Sequence, residues 1–203
     1  MNLDADFWPT LWKLAIATGT RPEVFLTVWF AESGLDPAAE NAVGCIGLNQ
    51  TCPRPRGPGF PSSAQAYKAS PASVQVAWIA RQVISAIKLN GGPFRSAARY
   101  WQANLLPATL ATAKQPDDVI AARSGPLPDA YAGNAALDAD RDGRITLADL
   151  GDTLERLLLA RGAMLGDAIQ RAYANRPSVA PWDSADLVIC EPDGASEPVA
   201  GTG

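Results

Sequence analysis

The sequence predicts an all-α protein, and three stretches carry that expectation. Apolar residues at positions 7, 8, 11, 12, 14, 15 and 16 keep helical spacing and stop at Gly19. Ser70-Pro71 opens a run of about twenty residues through Val74, Trp78, Ile79, Val83 and Ile87, which stops at Asn90-Gly91-Gly92-Pro93. Leu147, Leu150, Leu154, Leu157, Leu158, Met164, Leu165 and Ile169 mark one amphipathic helix, or two if Gly162 breaks it.

In chain order, the first helix covers residues 7–18. Thr20-Arg21-Pro22-Glu23 reads as a capping box, with Thr20 as the cap, Glu23 reaching back and Pro22 in the first turn. The helix it opens carries Val24, Phe25, Val28 and Trp29 and brings Glu32 close to its end, where Ser33-Gly34 stops it. The negative end of the helix dipole disfavours a charged carboxylate there. The apolar neighbours Trp29, Phe30 and Ala31 push the same way. A carboxyl group kept protonated near neutrality can act as a general acid. A Gly-rich turn follows, flanked by Cys45 and Cys52, which either close it as a disulfide or lie buried as free thiols. Residues 51–64 are rich in Pro, Gly and Arg and predict an extended loop. Residues 94–106 predict a further helix, carrying Tyr100-Trp101-Gln102-Ala103-Asn104.

Composition narrows the chemistry. The 203 residues make one large or two small domains, and 47% hydrophobic content is enough to bury a core. The net charge of −4, without a basic stripe, gives nucleic acid no footing. There is no histidine, which excludes a Ser-His-Asp triad, a Cys-His pair and His-based zinc sites. Three cysteines exclude a four-cysteine zinc site. No apolar run reaches membrane-spanning length, and the acidic start Met-Asn-Leu-Asp-Ala-Asp does not read as a signal peptide.

A second patterned segment runs from Asp138 to Asp149. Asp138, Asp140, Asp142, Thr146 and Asp149 put oxygen at loop positions 1, 3, 5, 9 and 12, and Arg144 offers its carbonyl at position 7. Gly143 sits where the turn tightens and Ile145 where the loop packs inward. The pattern resembles an EF-hand or dockerin-type loop and implies a structural Ca2+. Asp149 stands where a bidentate Glu is usual, so weaker affinity is expected.

The stretch Glu32-Ser33, Pro37, Ala39, Asn41, Gly44, Gly47-Leu48 and Gln50 resembles the first motif of the soluble lytic transglycosylases, goose-type lysozyme-like enzymes that cleave peptidoglycan. Asn49 departs from it, standing where Met or Ile is common. The resemblance implies a lysozyme-like helical domain, Glu32 as the catalytic acid/base, and Ser33 and Gln50 lining a sugar groove. Tyr100, Trp101 and Asn104 are the candidates for the aromatic and Asn of the family's third motif, across that groove. They resemble the virion-associated variety of the family, in which an aromatic, an Asn and a Pro recur at this place. Arg54 and Arg56 either meet wall carboxylates or lie on a solvated loop.

These readings divide the chain into a lysozyme-like domain (residues 1–124), an EF-hand-like loop with helices (125–175) and an extended Pro- and Gly-rich tail (176–203). The expected protein is a lytic transglycosylase of a tailed-phage virion, acting on peptidoglycan glycan strands and held by tail or baseplate proteins. Two rivals stand beside it. One is an inactive structural tail or baseplate protein that keeps the fold; the other is a cellular wall-remodelling enzyme or calcium-dependent scaffold module.

Overall fold

A computed structural model describes residues 3–52, 61 and 63–178. Arg54, Arg56 and the apolar run Leu187-Val188-Ile189-Cys190 of the expected tail lie outside the described residues. The described chain is mostly helical, with α1 (Phe7–Thr18), α2 (Pro22–Ser33), α3 (Ala64–Lys68), α4 (Ala72–Asn90), α5 (Ala97–Leu105), α6 (Pro128–Asn134) and α7 (Leu147–Ala174). No helix among the described residues is long and apolar enough to cross a membrane.

Helix α2 organises the rest. Val24, Phe25, Leu26, Val28, Trp29 and Phe30 are all buried, so its apolar surface takes in most of the circumference and leaves only the half-buried edge of Glu23, Thr27 and Ala31. Helices α5 and α7 provide most of its cover, and α1 packs on α4 beside it. Phe25 stacks on Trp29 and takes Tyr100 of α5 edge-on, with ring centroids 5.7 Å and 5.0 Å apart. Gly34, in the left-handed conformation, ends the helix by donating its N–H to the Phe30 carbonyl at 2.9 Å.

The expected capping box at Thr20 does not form. Arg21 takes the cap position without a side-chain hydrogen bond. Thr20 is buried and accepts the Phe94 N–H at 3.1 Å, which ties the start of α2 to the chain entering α5. Glu23 turns outward to Arg21 and accepts the Tyr173 hydroxyl at 3.0 Å. Burial of Phe94 in the core also keeps residues 94–96 out of the helix expected to begin there, and Ser96 caps α5 instead.

The all-α expectation misses a small sheet. Strands β1 (Val119–Ala122) and β2 (Arg144–Thr146) pair antiparallel, Ala121 opposite Ile145 and Ala122 opposite Arg144, with a bulge between Val119 and Ala121. The backbone of the acidic loop runs extended as it leaves the turn, and its polar groups need a partner strand. The short run Val119-Ile120-Ala121-Ala122 supplies it.

Leu147–Ala174 is one continuous helix of 28 residues, unbroken at Gly162. Its last turns return to the first helices: Trp12 Nε1 donates to the Ala172 carbonyl at 2.7 Å, and the Trp12 and Tyr173 rings meet edge-on. Ile120, Ile145, Leu150, Leu154, Leu165 and Ala168 belong to the same hydrophobic core as Phe7, Phe25 and Trp29. The boundary expected between residues 124 and 125 therefore does not divide the core.

Cys45 and Cys52 form a disulfide that closes the turn after α2. Replacing both with Ser is expected to lower stability by about 2 kcal/mol, the chain-entropy value for so short a loop. Chemical denaturation with an unchanged midpoint would show that the turn holds without the bond.

Candidate active site

Glu32 is the next-to-last residue of α2 and is half-buried. Its Oε1 accepts a hydrogen bond of 2.6 Å from the Trp101 indole N–H on α5. Burial raises its pKa from the ordinary 4.5 to about 7, and the Trp101 bond, which favours the charged form, pulls only partly back. No carboxylate among the described residues contributes to that shift. Because Trp101 occupies Oε1, the proton of the neutral form sits on Oε2.

One turn back on α2, Trp29 makes the second link to α5. Its Nε1–H points at both Tyr100 Oη (3.1 Å) and Asn49 Oδ1 (3.0 Å), and the Tyr100 hydroxyl donates to the same Asn49 oxygen at 3.0 Å. Asn49 in turn pairs amide-to-amide with Asn104, one turn along α5 from Trp101. Burial drives the Tyr100 hydroxyl pKa strongly upward, so this group stays a neutral donor.

The turn between α2 and the disulfide is held from below. Gln75 of α4 is fully buried; its Oε1 accepts the Leu48 N–H at 3.0 Å and its Nε2 donates to the Pro37 carbonyl at 2.8 Å. Gly47 allows this approach. Its φ is +78°, and a Cβ there would overlap the Gln75 carboxamide oxygen and lie 2.6 Å from Tyr67 Cε1. Ser33 Oγ lies 2.8 Å from the Trp29 carbonyl and 3.1 Å from the Leu48 carbonyl, donating its single proton between them. Gln50 folds over its own turn, its Nε2 donating to the Gly47 carbonyl at 3.1 Å.

Of the residues expected around Glu32, the structure brings Trp101 onto its carboxyl and ties Ser33 to the turn that carries Gln50. Tyr100 and Trp101 are 1% and 6% exposed, so neither presents a face to a sugar. Packing against Phe25 and Phe94 buries the Tyr100 ring, and Trp101 holds the carboxyl. Ser33, half-buried like Glu32, secures the end of α2 to the turn. Glu32, Gln50 and Asn104 remain half-buried. Two residues of the site were not among the expected site residues. Asn49 is a polar residue where an apolar one is usual, and Gln75 is a lone amide on the apolar stripe of Ala72, Val76, Ile79 and Val83. Each was visible as an interruption in an apolar pattern.

In the acidic loop, carboxylate oxygens of Asp138, Asp140 and Asp149 lie within 4.8 Å of one another, an arrangement able to hold a metal ion. Gly143 makes the tight turn with φ +90° and donates its N–H to Asp138 at 2.9 Å. Burial pushes the Asp138 carboxyl pKa up, but hydrogen bonds from Tyr131, Gly143 and neighbouring backbone outweigh this and hold it below the ordinary value. The other residues of the expected ligand set make contacts of their own here. Asp142 turns its carboxylate to the Arg144 guanidinium, and Thr146 caps α7 in a capping box with Asp149. Arg144 belongs to β2, and Ile145 is buried as expected.

Comparison of the chain with protein-family models, with curated proteins and with solved structures gives no match.

The folded-state pKa of Glu32 lies above its unfolded value, so folding takes up a proton between about pH 4.5 and 7 and stability falls as pH rises through that window. Glu32→Gln, which keeps the acceptor for Trp101, is expected to stabilise the protein by up to about 3 kcal/mol above pH 7. The gain should fade towards pH 4.5. Melting curves across this range check it, and a gain independent of pH would contradict the assigned burial of charge.

Proposed function

We propose that the chain is a lysozyme-like lytic transglycosylase that cleaves peptidoglycan, with Glu32 as its single acid/base. The observation that carries this reading is the state of Glu32: half-buried at a helix end, gripped on one oxygen by Trp101, with a pKa near 7. The motif from Glu32 to Gln50 supports it, because its glycines and polar residues fold into one disulfide-closed turn packed against that helix end.

In the proposed reaction Glu32 Oε2–H protonates the glycosidic oxygen between N-acetylmuramic acid and N-acetylglucosamine. The C1–O bond breaks, and the substrate's own acetamido group stabilises the cationic sugar carbon. The Glu32 carboxylate then takes the proton of the muramic 6-hydroxyl as that oxygen attacks C1. A 1,6-anhydro sugar forms and the acid is restored. A one-carboxylate scheme suits a site where no second carboxylate perturbs Glu32 among the described residues. Carriage by a tailed-phage particle, with tail or baseplate proteins as partners, belongs to the same proposal and rests on the sequence resemblance.

The ion of the acidic loop is proposed to be Ca2+, held by the hard carboxylate oxygens of Asp138, Asp140 and Asp149. It would fix the geometry between β2 and α7 and takes no part in the reaction.

Incubation with purified wall sacculi is expected to release anhydro-muropeptides, identified by mass spectrometry, and Glu32→Gln is expected to stop the release. Activity should fall as pH rises through about 7, where the acid loses its proton. Folded wild-type protein that yields no products leaves the structural rival. For the loop, excess chelator is expected to lower the melting temperature and added Ca2+ to restore it; an unchanged temperature removes the metal assignment.

A further inference from the structure

Helix α7 gives the core Leu150, Leu154, Leu165, Ala168 and Ala172, all buried. Its outer face lacks the unbroken charged surface that water favours on a helix of this kind. At its middle Leu159 is 82% exposed, and Ala160, Ala163 and Met164 beside it are exposed as well. At about 100° per residue, Asp152, Arg156, Leu159, Ala163, Gly166 and Gln170 fall along one stripe. Gly162 borders it. Among the described residues, nothing lies within 4 Å of where a Cβ on Gly162 or Gly166 would stand. Glycine is a poor helix former, so the fold of a single chain gains nothing from either. What they provide is a trough beside Leu159, open to a neighbour from outside. An exposed apolar patch rimmed by charge is the mark of a protein-binding surface.

The charges show which partner fits. Asp152 and Arg156 lie before the apolar centre, Asp167 and Arg171 after it, and all four are exposed. Each acid stands four residues before its Arg, the spacing of an intrahelical ion pair. Neither pair forms among the described residues. Arg156 turns instead to the Asp152 carbonyl and the Thr153 hydroxyl. From its N-terminal to its C-terminal end the face therefore runs acid, base, leucine, small residues, acid, base. Such an order is complementary to itself once reversed. With a two-fold axis beside Gly162, Arg156 meets the partner's Asp167, and Asp152 meets the partner's Arg171. Leu159 lies over the partner's Ala163 and Gly166, where small residues let the helices approach closely. The two-fold axis repeats every contact. A parallel pair would set like charge on like charge and Leu159 on Leu159.

We propose that the outer face of α7 is a self-association surface, on which a second copy of this chain packs its own α7 antiparallel. The inference is independent of the glycan reading of the Glu32 site. One helix of 28 residues on each side makes a small interface. The pairing is accordingly weak and concentration-dependent.

Sedimentation equilibrium of the full chain, from low micromolar to millimolar concentration, is expected to show reversible monomer–dimer exchange. Leu159→Glu places charge at the centre of the patch, and Gly166→Leu fills the seat of the partner's leucine. Each is expected to raise the dissociation constant more than tenfold, without lowering the melting temperature, because both positions are open to solvent in the single chain. The charge order is tested between chains. Arg156→Asp alone, or Asp167→Arg alone, sets like charges together twice in a homodimer and should weaken it about tenfold. Mixed in equal amounts, the two variants restore both opposite-charge contacts, and a heterodimer of about wild-type affinity is expected. Pairing within one helix cannot produce rescue between chains. A full chain that stays monomeric throughout overturns the inference and leaves the face to the chain's own last residues or to a different protein. A dimer indifferent to both Leu159→Glu and Gly166→Leu overturns it as well, and so does a mixture that associates no more tightly than either charge variant alone. Melting curves check that every variant is folded. Should either Leu159→Glu or Gly166→Leu be unfolded, the other decides.

Discussion

The structure depends on enclosing a helix that is apolar over most of its circumference. From Val24 to Phe30 every residue of α2 except Thr27 is apolar and buried, and the helix ends near a carboxyl group. Covering such a helix requires elements on most sides, and α5 and α7 come from distant parts of the chain to do it. The cover leaves Glu32 only partly in contact with water. The raised pKa of Glu32 is thus a by-product of the same burial that stabilises the core.

Burying so much aromatic surface around α2 also buries polar atoms, and each has been given a partner. Trp29 and Tyr100 satisfy one another and Asn49. Trp12 is answered by the Ala172 carbonyl, Thr20 by the Phe94 N–H, and Gln75 by the backbone of the turn. These bonds join residues far apart in sequence, so they fix how the helices sit against one another as well as satisfying atoms. Two parallel links, Trp29 to Tyr100 and Trp101 to Glu32, set α5 against α2. The site is built from the second link and from the Asn49–Asn104 pair beside the first.

The acidic loop takes part in this arrangement. Its exit strand pairs with β1, its Ile145 enters the common core, and Thr146 and Asp149 start α7 by capping each other's backbone. Since α7 returns to cover α2 and ends against Trp12, whatever orders the loop also orders part of the cover over α2.

The sequence alone determined helices α1, α2, α4, α5 and α7, most of their stops, the placing of Glu32 at a helix end, the Gly-rich turn and the patterned acidic loop; the short α3 and α6 it did not show. These are local matters: apolar spacing, Gly in the left-handed conformation, and short-range capping are all written within a few residues. The sheet, the unbroken α7, the shared core and the loss of the capping box at Thr20 were decided by tertiary contacts. A partner strand, a packing face or a distant N–H changed which local preference won. The same holds for the site. Glu32, Ser33, Gln50, Tyr100, Trp101 and Asn104 could be named from sequence, but their tasks could not. Whether an aromatic residue meets ligand, grips a carboxyl or fills the core depends on what lies across from it. Asn49 and Gln75 acquired their importance only when residues 20 to 60 positions away came within hydrogen-bonding distance.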